Sequence, residues 1–452
     1  MYVRLILMLI CTATLTEQVA AQSAGQSIRM NLAQCIDRAL VVSPDVEQAT
    51  LAVERMEARL SEAKYAGIVP QLRWTNIFGP APGVNGDPTR IEDLESDPFD
   101  IGIFFRTQLE VIQPLYTWGK IGHAKKAAQY GVEAGVAGGA KKKNELGLQV
   151  KKIYYGLTLA KALREVVIEG QENVQKARQR VNDLIEEDSD EVGQSDLFKV
   201  DVFEFEVKKN LARVDKTIEM GKAAMLLLLN MDRSTDFDIL YPQEETEPAP
   251  LEGLAVYVNR ARVERADVKQ LRAGVLVRRS LLKISKSDFY PQIALVGSMQ
   301  YGIAPHRTKF DNPFLRDDFN FFRAGAFVTL RQNFSFGLTR AKYATQKAEL
   351  ADLLSKENQA MKAIALEVER TYLDVVEANG NVVNSDRAMR SAKSWMTSSG
   401  IGFDITGDSA DLLNAFTAYS KMRNEYHQAV FGLKVALAGL DHVTGVGVPA
   451  VR

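Results

Sequence analysis

The chain has 452 residues, 46% of them hydrophobic and 25% charged, with 56 Lys and Arg against 57 Asp and Glu. This is the composition of a folded chain, long enough for several domains or one elongated one. The balanced charge offers no basic surface to nucleic acid, and the four histidines (His123, His306, His427, His442) are scattered without metal-ligand spacing. No phosphate-cradling glycine loop or nucleophile elbow is present, so the residues point away from an enzyme and call for no cofactor.

Residues 1–21 have the three regions of an export signal: Arg4, an apolar run from Leu5 to Leu15, and Val19-Ala20-Ala21 as the small residues before cleavage. The run is shorter than the roughly 20 residues a membrane helix needs. Cys11 falls inside it behind the bulky Ile10, a poor context for lipidation. Cleavage after Ala21 leaves Cys35 alone, so no internal disulfide is expected. No later stretch has the length and apolarity of a membrane helix.

Beyond the signal the chain is written twice. Leu32-Ala33 through Asp45-Val46-Glu47-Gln48 is echoed by Leu254-Ala255 through Asp267-Val268-Lys269-Gln270, an offset of about 222 residues. Val69-Pro70-Gln71-Leu72 is echoed by Tyr290-Pro291-Gln292-Ile293, Gln113 and Gly119 by Gln332 and Gly337, and the Gly193–Asp196 segment by Gly407–Asp411. Matches in the same order, at an offset that drifts by only a few residues as loop lengths change, indicate two structural repeats, 22–245 and 246–443, followed by a tail, 444–452.

Each repeat opens with a helical segment, Leu32 to Ala66 and Leu254 to about Lys286, the first interrupted where Pro44 suits the first turn of a new helix. Two alternating stretches follow, Pro70 to Phe78 with Phe104 to Ile112, and Pro291 to Tyr301 with Phe321 to Gln332. Loops rich in Gly, Pro and Asp, expected over Gly79–Asp100 and Ala304–Asp318, separate them. Phe105, Thr107, Leu109 and Val111 alternate with Arg106, Gln108 and Glu110, the period of a strand with one apolar and one wet face. Proline-free stretches with helical apolar spacing come next, from about Gly119 to Ile185 and from Leu338 to about Trp395. A helix of roughly 65 residues is about 100 Å long and requires coiled-coil partners. Each turns at a Gly-Ser-Asp region into a shorter helix, Asp196 to Asn230 and Asp411 to Leu440.

Four strands per chain are too few to close a barrel, and open sheet edges are not tolerated in hydrocarbon. Pooling strands from three chains gives twelve and removes the edges. The other arrangement consistent with the periodicity is a soluble sheet capping a helical bundle, in a non-inserted periplasmic scaffold or adaptor.

Four segments carry a resemblance to a known family. These are Leu32-Ala33-Gln34 with Ser43-Pro44-Asp45, Lys64 through Leu72, Gln113-Pro114-Leu115-Tyr116-Thr117-Trp118-Gly119-Lys120, and Asp411-Leu412-Leu413-Asn414-Ala415 after Gly407. Over nearly the whole mature chain the pattern resembles the TolC family of outer-membrane efflux and secretion channels. Asn333 departs from it, occupying the proline position of the second strand-to-helix junction. The resemblance implies a mainly α fold with a membrane β-barrel portion: a homotrimer with a twelve-stranded barrel in the outer membrane of a Gram-negative bacterium and a long coiled-coil periplasmic tunnel. It also implies a periplasmic adaptor protein and an inner-membrane transporter as partners, in a tripartite efflux pump or type I secretion system.

On that resemblance Asp411 matches a tip aspartate, with Asn414 and Asp196 as further candidates for a periplasmic gate. A ring of like charges would attract cations. Asp411 and Asp196 equally suit helix N-caps after Gly407-Asp408-Ser409 and Gly193-Gln194-Ser195. The tips Gly193, Ser195, Gly407 and Ser409 are the candidate adaptor contacts, and the acidic run Glu186 to Glu191 is a solvated turn or a docking site. Pro114, Trp118, Gly119 and Gly337 mark the barrel-to-helix junctions. Trp74, Phe78, Phe104 and Phe105 suit either a membrane interface or ordinary packing.

Overall fold

The computed structural model describes residues 28–87, 95–186, 193–240, 249–309, 316–406 and 409–446. The export signal expected over residues 1–21, the acidic run beyond Glu186, Gly407 and the end of the tail lie outside the described residues. Strand β1 (Ile28–Met30) leads to α1 (Leu32–Val42) and α2 (Pro44–Ile68), then β2 (Gln71–Asn85) and β3 (Glu95–Tyr116), then α3 (Lys120–Glu186) and α4 (Gln194–Leu228). After β4 (Phe237–Ile239) the order recurs as α5 (Leu254–Glu264), α6 (Ala266–Ser287), β5 (Gln292–Ile303), β6 (Phe321–Arg331), α7 (Phe336–Thr406) and α8 (Ser409–Thr444).

Local chemistry sets the helix boundaries. Asn31 caps α1: its side chain accepts from the Gln34 backbone N–H at 2.8 Å, and the Gln34 side chain accepts from the Asn31 N–H at 2.9 Å. Ser43 ends α1 and Pro44 opens α2, where its missing N–H has no helical partner to lose. The second half breaks at Arg265, where the sequence predicts one helical segment from Leu254 to about Lys286. Arg265 takes an extended conformation, and its guanidinium donates to Asp267 at 3.0 and 2.8 Å, to Glu367 at 2.7 Å and to the Val443 carbonyl at 3.3 Å. A charged side chain bridging three elements thus holds a break that carries no Pro or Gly.

Helices α4 and α8 end alike. Asn230 (φ 47°) and Gly445 (φ 78°) adopt the left-handed conformation, while Met231 and Val446 donate back to the Leu226 and Asp441 carbonyls at 3.0 and 2.9 Å. A Cβ on Gly445 would stand 2.6 Å from the Arg265 backbone nitrogen, so this helix end sits directly on the α5–α6 break.

The chain forms two compact units, one of residues 1–50, 138–268 and 360–452, the other of 51–137 and 269–359. The first has two cores. One joins Cys35 and Ala39 of α1 to Val150 and Leu157 of α3, Met225 of α4, and Phe237 of β4. The other joins Ala261 and Val268 to Val368 and Val375 of α7 and Leu433 of α8. In α7 the buried Val368, Val375 and Val382 recur every seven residues, the seam that lets a 71-residue helix find partners. The short parallel pair β1–β4 places the buried Phe237 and Ile239 in the first core. The second unit holds the sheet. There the loop expected over Gly79–Asp100 is largely strand, since β2 runs on to Asn85 and β3 begins at Glu95. Pro80 and Pro82 are compatible with this because β2 is an edge strand and, two residues apart, both missing donors fall on one edge.

Burial pushes the Cys35 thiol up to about 11, and the side chain is fully covered. In a Cys11→Ser chain no thiol should react with a disulfide reagent at pH 8 until the protein is denatured. Burial acts to raise the Asp267 carboxyl, but the Arg265 bonds outweigh it and hold it below the usual carboxylate range. A depressed folded pKa stabilises above the unfolded value near 3.9, and that contribution is lost as pH falls through the folded value. Asp267→Asn is therefore expected to cost about 1–3 kcal/mol at pH 7. In thermal unfolding its gap from the parent protein should narrow below about pH 4.

Candidate functional site

The strands lie in the order β2-β3-β5-β6, every neighbouring pair antiparallel. The register aligns Trp74 with Leu109, Met299 and Ala324, and Thr107 with Tyr301 and Phe322. Leu72, Val111, Gly297 and Ala326 form another such row. One face is therefore apolar across all four strands, and it is open: Leu72 is 69% exposed, Trp74 73%, Phe78 72% and Val328 68%. Even the Trp74 indole N–H is satisfied within the sheet, donating to the Thr107 hydroxyl at 2.7 Å. The opposite face carries Arg73, Glu110 and Ser298 in one row and Thr75, Gln108, Gln300 and Arg323 in the next. Trp74, Phe78 and Phe105 belong to the apolar face, whereas Phe104 is buried on the polar one. Strands β2 and β6 are each paired on one side only. Among the described residues no helix is long and apolar enough to cross a membrane.

At the strand-to-helix junction Pro114 precedes a register irregularity that leaves Leu115 outside the β3–β5 pairing. Trp118 (φ 52°) and Gly119 (φ 80°) then turn the chain through two left-handed residues. The Trp118 conformation is unusual for a bulky residue, and its ring contacts secure it. Its ring stacks on Tyr290 at 4.9 Å, meets Tyr116 edge-on at 5.0 Å, and its N–H donates to the Pro291 carbonyl at 2.7 Å. Lys120 pairs with Asp288 at 2.7 Å. Gly337 was expected as the equivalent of Gly119, but it is the second residue of α7, without positive φ and with nothing near its would-be Cβ. The second junction, with Asn333 in place of proline, is a segment without regular secondary structure, 332–335, leading into α7.

Among the tip residues, Gly193 is the N-cap of α4, and Asp196 returns a carboxylate bond to the Gly193 N–H at 3.2 Å while pairing with Lys199 at 2.9 Å. Asp196 is therefore not itself the cap, and Gly193 and Ser195 are exposed. Helix α8 begins at Ser409, so Asp411 is its third residue rather than its cap. The Asp411 carboxylate accepts from the buried Ser399 hydroxyl on α7, tying the hairpin, while Asn414 is exposed. The two tips meet in a cavity of about 380 Å³ whose walls include Val174 and Val181 of α3, Val200 and Phe203 of α4, and Leu413 and Phe416 of α8, with Asp196 also lining it. Arg178 of α3 bonds Asp201 and Glu204 of α4, and Arg423 of α8 bonds Glu169 of α3. Hydrogen bonding to Asp201 raises the Arg178 guanidinium, and bonding from Lys208 lowers the Glu204 carboxyl, so these charges persist across the neutral range. Sequence spacing gave no sign of these pairs, which lie on different helices. Among the described residues no cluster of His, Cys, Asp and Glu could hold a metal ion.

No protein-family model and no curated protein matches the chain. Solved structures do. The outer-membrane channel OprN superposes with a TM-score of 0.75 at 16% identity, over 92% of this chain and 90% of that one. CusC, whose structures concern transmembrane channel formation, gives 0.74 at 15% identity over 94% and 95%. The open state of the Neisseria gonorrhoeae MtrE outer membrane channel gives 0.72 at 16% identity over 93% of each chain. The chain has the fold of TolC-like outer-membrane channels, a mainly helical framework carrying barrel strands.

The two glycines that match in sequence should respond in opposite senses. Gly119→Ala forces a side chain into the left-handed region and is expected to destabilise by about 1 kcal/mol or more. Gly337→Ala, in open helix, should stabilise by roughly 0.5–1 kcal/mol. Thermal unfolding of the two variants checks the pair.

Proposed function

We propose that this chain is the outer-membrane exit duct of a tripartite efflux pump or type I secretion system, acting as a homotrimer in a Gram-negative bacterium. The observation that carries the reading is the sheet, apolar and uncovered on one face, polar on the other, and unpaired at both edges. In water such a face is a liability, and in lipid open edges would strand backbone donors and acceptors. Joining β6 of one copy to β2 of the next removes both problems. Four antiparallel strands also preserve the alternation of direction from copy to copy, so three copies make a continuous twelve-stranded wall. The apolar face then meets lipid and the polar face lines a water-filled passage. A non-inserted scaffold would need the apolar face covered, which no described residue of the second unit does.

The remaining assignments rest on the same reading. Residues 1–21 direct export, and 22–245 and 246–443 are duplicated repeats that each supply two strands and a helical hairpin. The tips at Gly193, Ser195, Gly407 and Ser409 meet a periplasmic adaptor, which joins the duct to an inner-membrane transporter that selects the cargo. Three copies of Asp411, with Asn414 and Asp196 nearby, supply negative charge at the periplasmic mouth, where it favours cations.

The two faces give the test. Leu109→Arg puts a charge on the lipid face at a cost of about 2–4 kcal/mol per copy near the bilayer midplane. It should abolish the detergent-extracted trimer. Ser298→Lys, on the polar face opposite Glu110, should leave assembly intact. Equal tolerance of both, or a native protein that stays monomeric in water without detergent, would defeat the reading.

A further inference from the structure

The polar face of the sheet is not bare at the β5–β6 end. The segment after β5 folds back over it, crosses β3 and reaches β2, with three consecutive residues gripping successive parts of that strand. His306 Nε2 lies 2.9 Å from the Ala81 carbonyl oxygen, Arg307 Nη1 donates to the Pro82 carbonyl, and the Thr308 backbone N–H donates to Val84 at 2.9 Å. Glycines make room for the crossing. A Cβ on Gly102 of β3 would fall inside the His306 ring, and one on Gly302 of β5 would stand 2.6 Å from the Phe319 carbonyl oxygen. Both positions belong to the polar face by register, in line with Ala81 and Arg106 respectively. A small apolar core of Ala81, Phe104 and Ala304, with Phe319 against it, forms under the crossing segment.

Arg307 lies at the centre. Its side chain is 8% exposed, that of Asp317 is 4% exposed, and the two stand 3.9 Å apart. The guanidinium also covers the Phe319 ring at 4.3 Å. Asp317 in turn orders the returning side of the segment, accepting from the Phe319 N–H at 2.9 Å on its carboxylate and from Arg323 at 3.0 Å on its carbonyl. The packing is nevertheless incompletely satisfied: Arg307 Nε and the second Asp317 carboxylate oxygen are buried without hydrogen-bond partners. Removing one partner of such a buried pair leaves the other charge stranded.

We infer that residues 304–309 and 316–320 form a strap across the passage-lining face, latched by Arg307, and that in the assembled ring three such straps narrow the outer exit. This rests on the duct reading above. It places a second constriction at the barrel end of the molecule, built from the segment after β5 and anchored on main-chain carbonyls of β2, apart from the helical tips.

The test is single-channel conductance in planar bilayers. Arg307→Ala should raise conductance by about two-fold or more, as expected when a narrow segment in series is widened. Arg307→Gln, which keeps a donor for Pro82 but loses the Asp317 pair, should give an intermediate rise. Independently, Val84→Cys with Thr308→Cys in a Cys11→Ser background should couple under mild oxidation in the inserted protein, because a main-chain bond already joins these residues. Coupling in the Arg307→Ala channel should restore the parent conductance, and a reductant should release it. Unchanged conductance in both Arg307 variants, or thiols that do not couple, overturns the strap and leaves the duct standing. Absence of any conductance from the parent trimer overturns the duct and the strap together.

Discussion

Backbone hydrogen bonding is the constraint on which the rest of this molecule depends. Along the outer edge of a sheet every second residue presents a backbone acceptor and, unless it is proline, a donor, and a four-stranded sheet leaves two such rows open. With an apolar face as well, the sheet can be finished neither in water nor in lipid by one chain. The helices look different in this light. In the proposed ring they need not close anything; their cores are built around α1, α3 and α4 and around α5, α7 and α8. The junction at Trp118, with its left-handed backbone and its stacking on Tyr290, ties the end of β3 to the start of β5.

The features legible in the sequence are those with a period. Val150 and Leu157, or Val368 and Val375, repeat at helical or heptad spacing, so the first long helix appears close to its observed limits, whereas α7 runs on to Thr406, eleven residues beyond the expected end at Trp395. The alternation from Phe105 to Val111 marks β3 and its two faces. What stayed hidden lacks a period. The break at Arg265 has no Pro or Gly and depends on Asp267, Glu367 and Val443, the last two far along the chain. The extension of β2 through Gly79-Pro80-Ala81-Pro82 has the composition of a loop and becomes strand only because β3 lies beside it. The pair β1–β4 is three residues long on each side, below any pattern length. Among the candidate site residues, Asp411 was found but its partner was not. Ser399 precedes it by twelve positions across a turn, and no spacing rule connects them.

The two halves solve equivalent problems with different residues. Where Ser43 and Pro44 part α1 from α2, Arg265 parts α5 from α6 through its side-chain bonds. Where α4 ends on Asn230, α8 ends on Gly445, which must be a glycine because the Arg265 backbone occupies the space a Cβ would need. Gly119 keeps its left-handed turn while Gly337 has become helical. A repeated plan therefore does not license carrying a residue's role from one half to the other, and each position is decided by its own neighbours.

The two free edges belong to different strands, and this has a genetic consequence. In the ring proposed above β6 of one subunit would meet β2 of another, so every seam would be head-to-tail, and no subunit could satisfy its own complement by pairing with itself in two-fold symmetry. A copy damaged on one edge only would still be accepted on the other and would stall the ring. In a cell making both forms, such an allele would poison the assemblies it joins and act dominantly over the intact one.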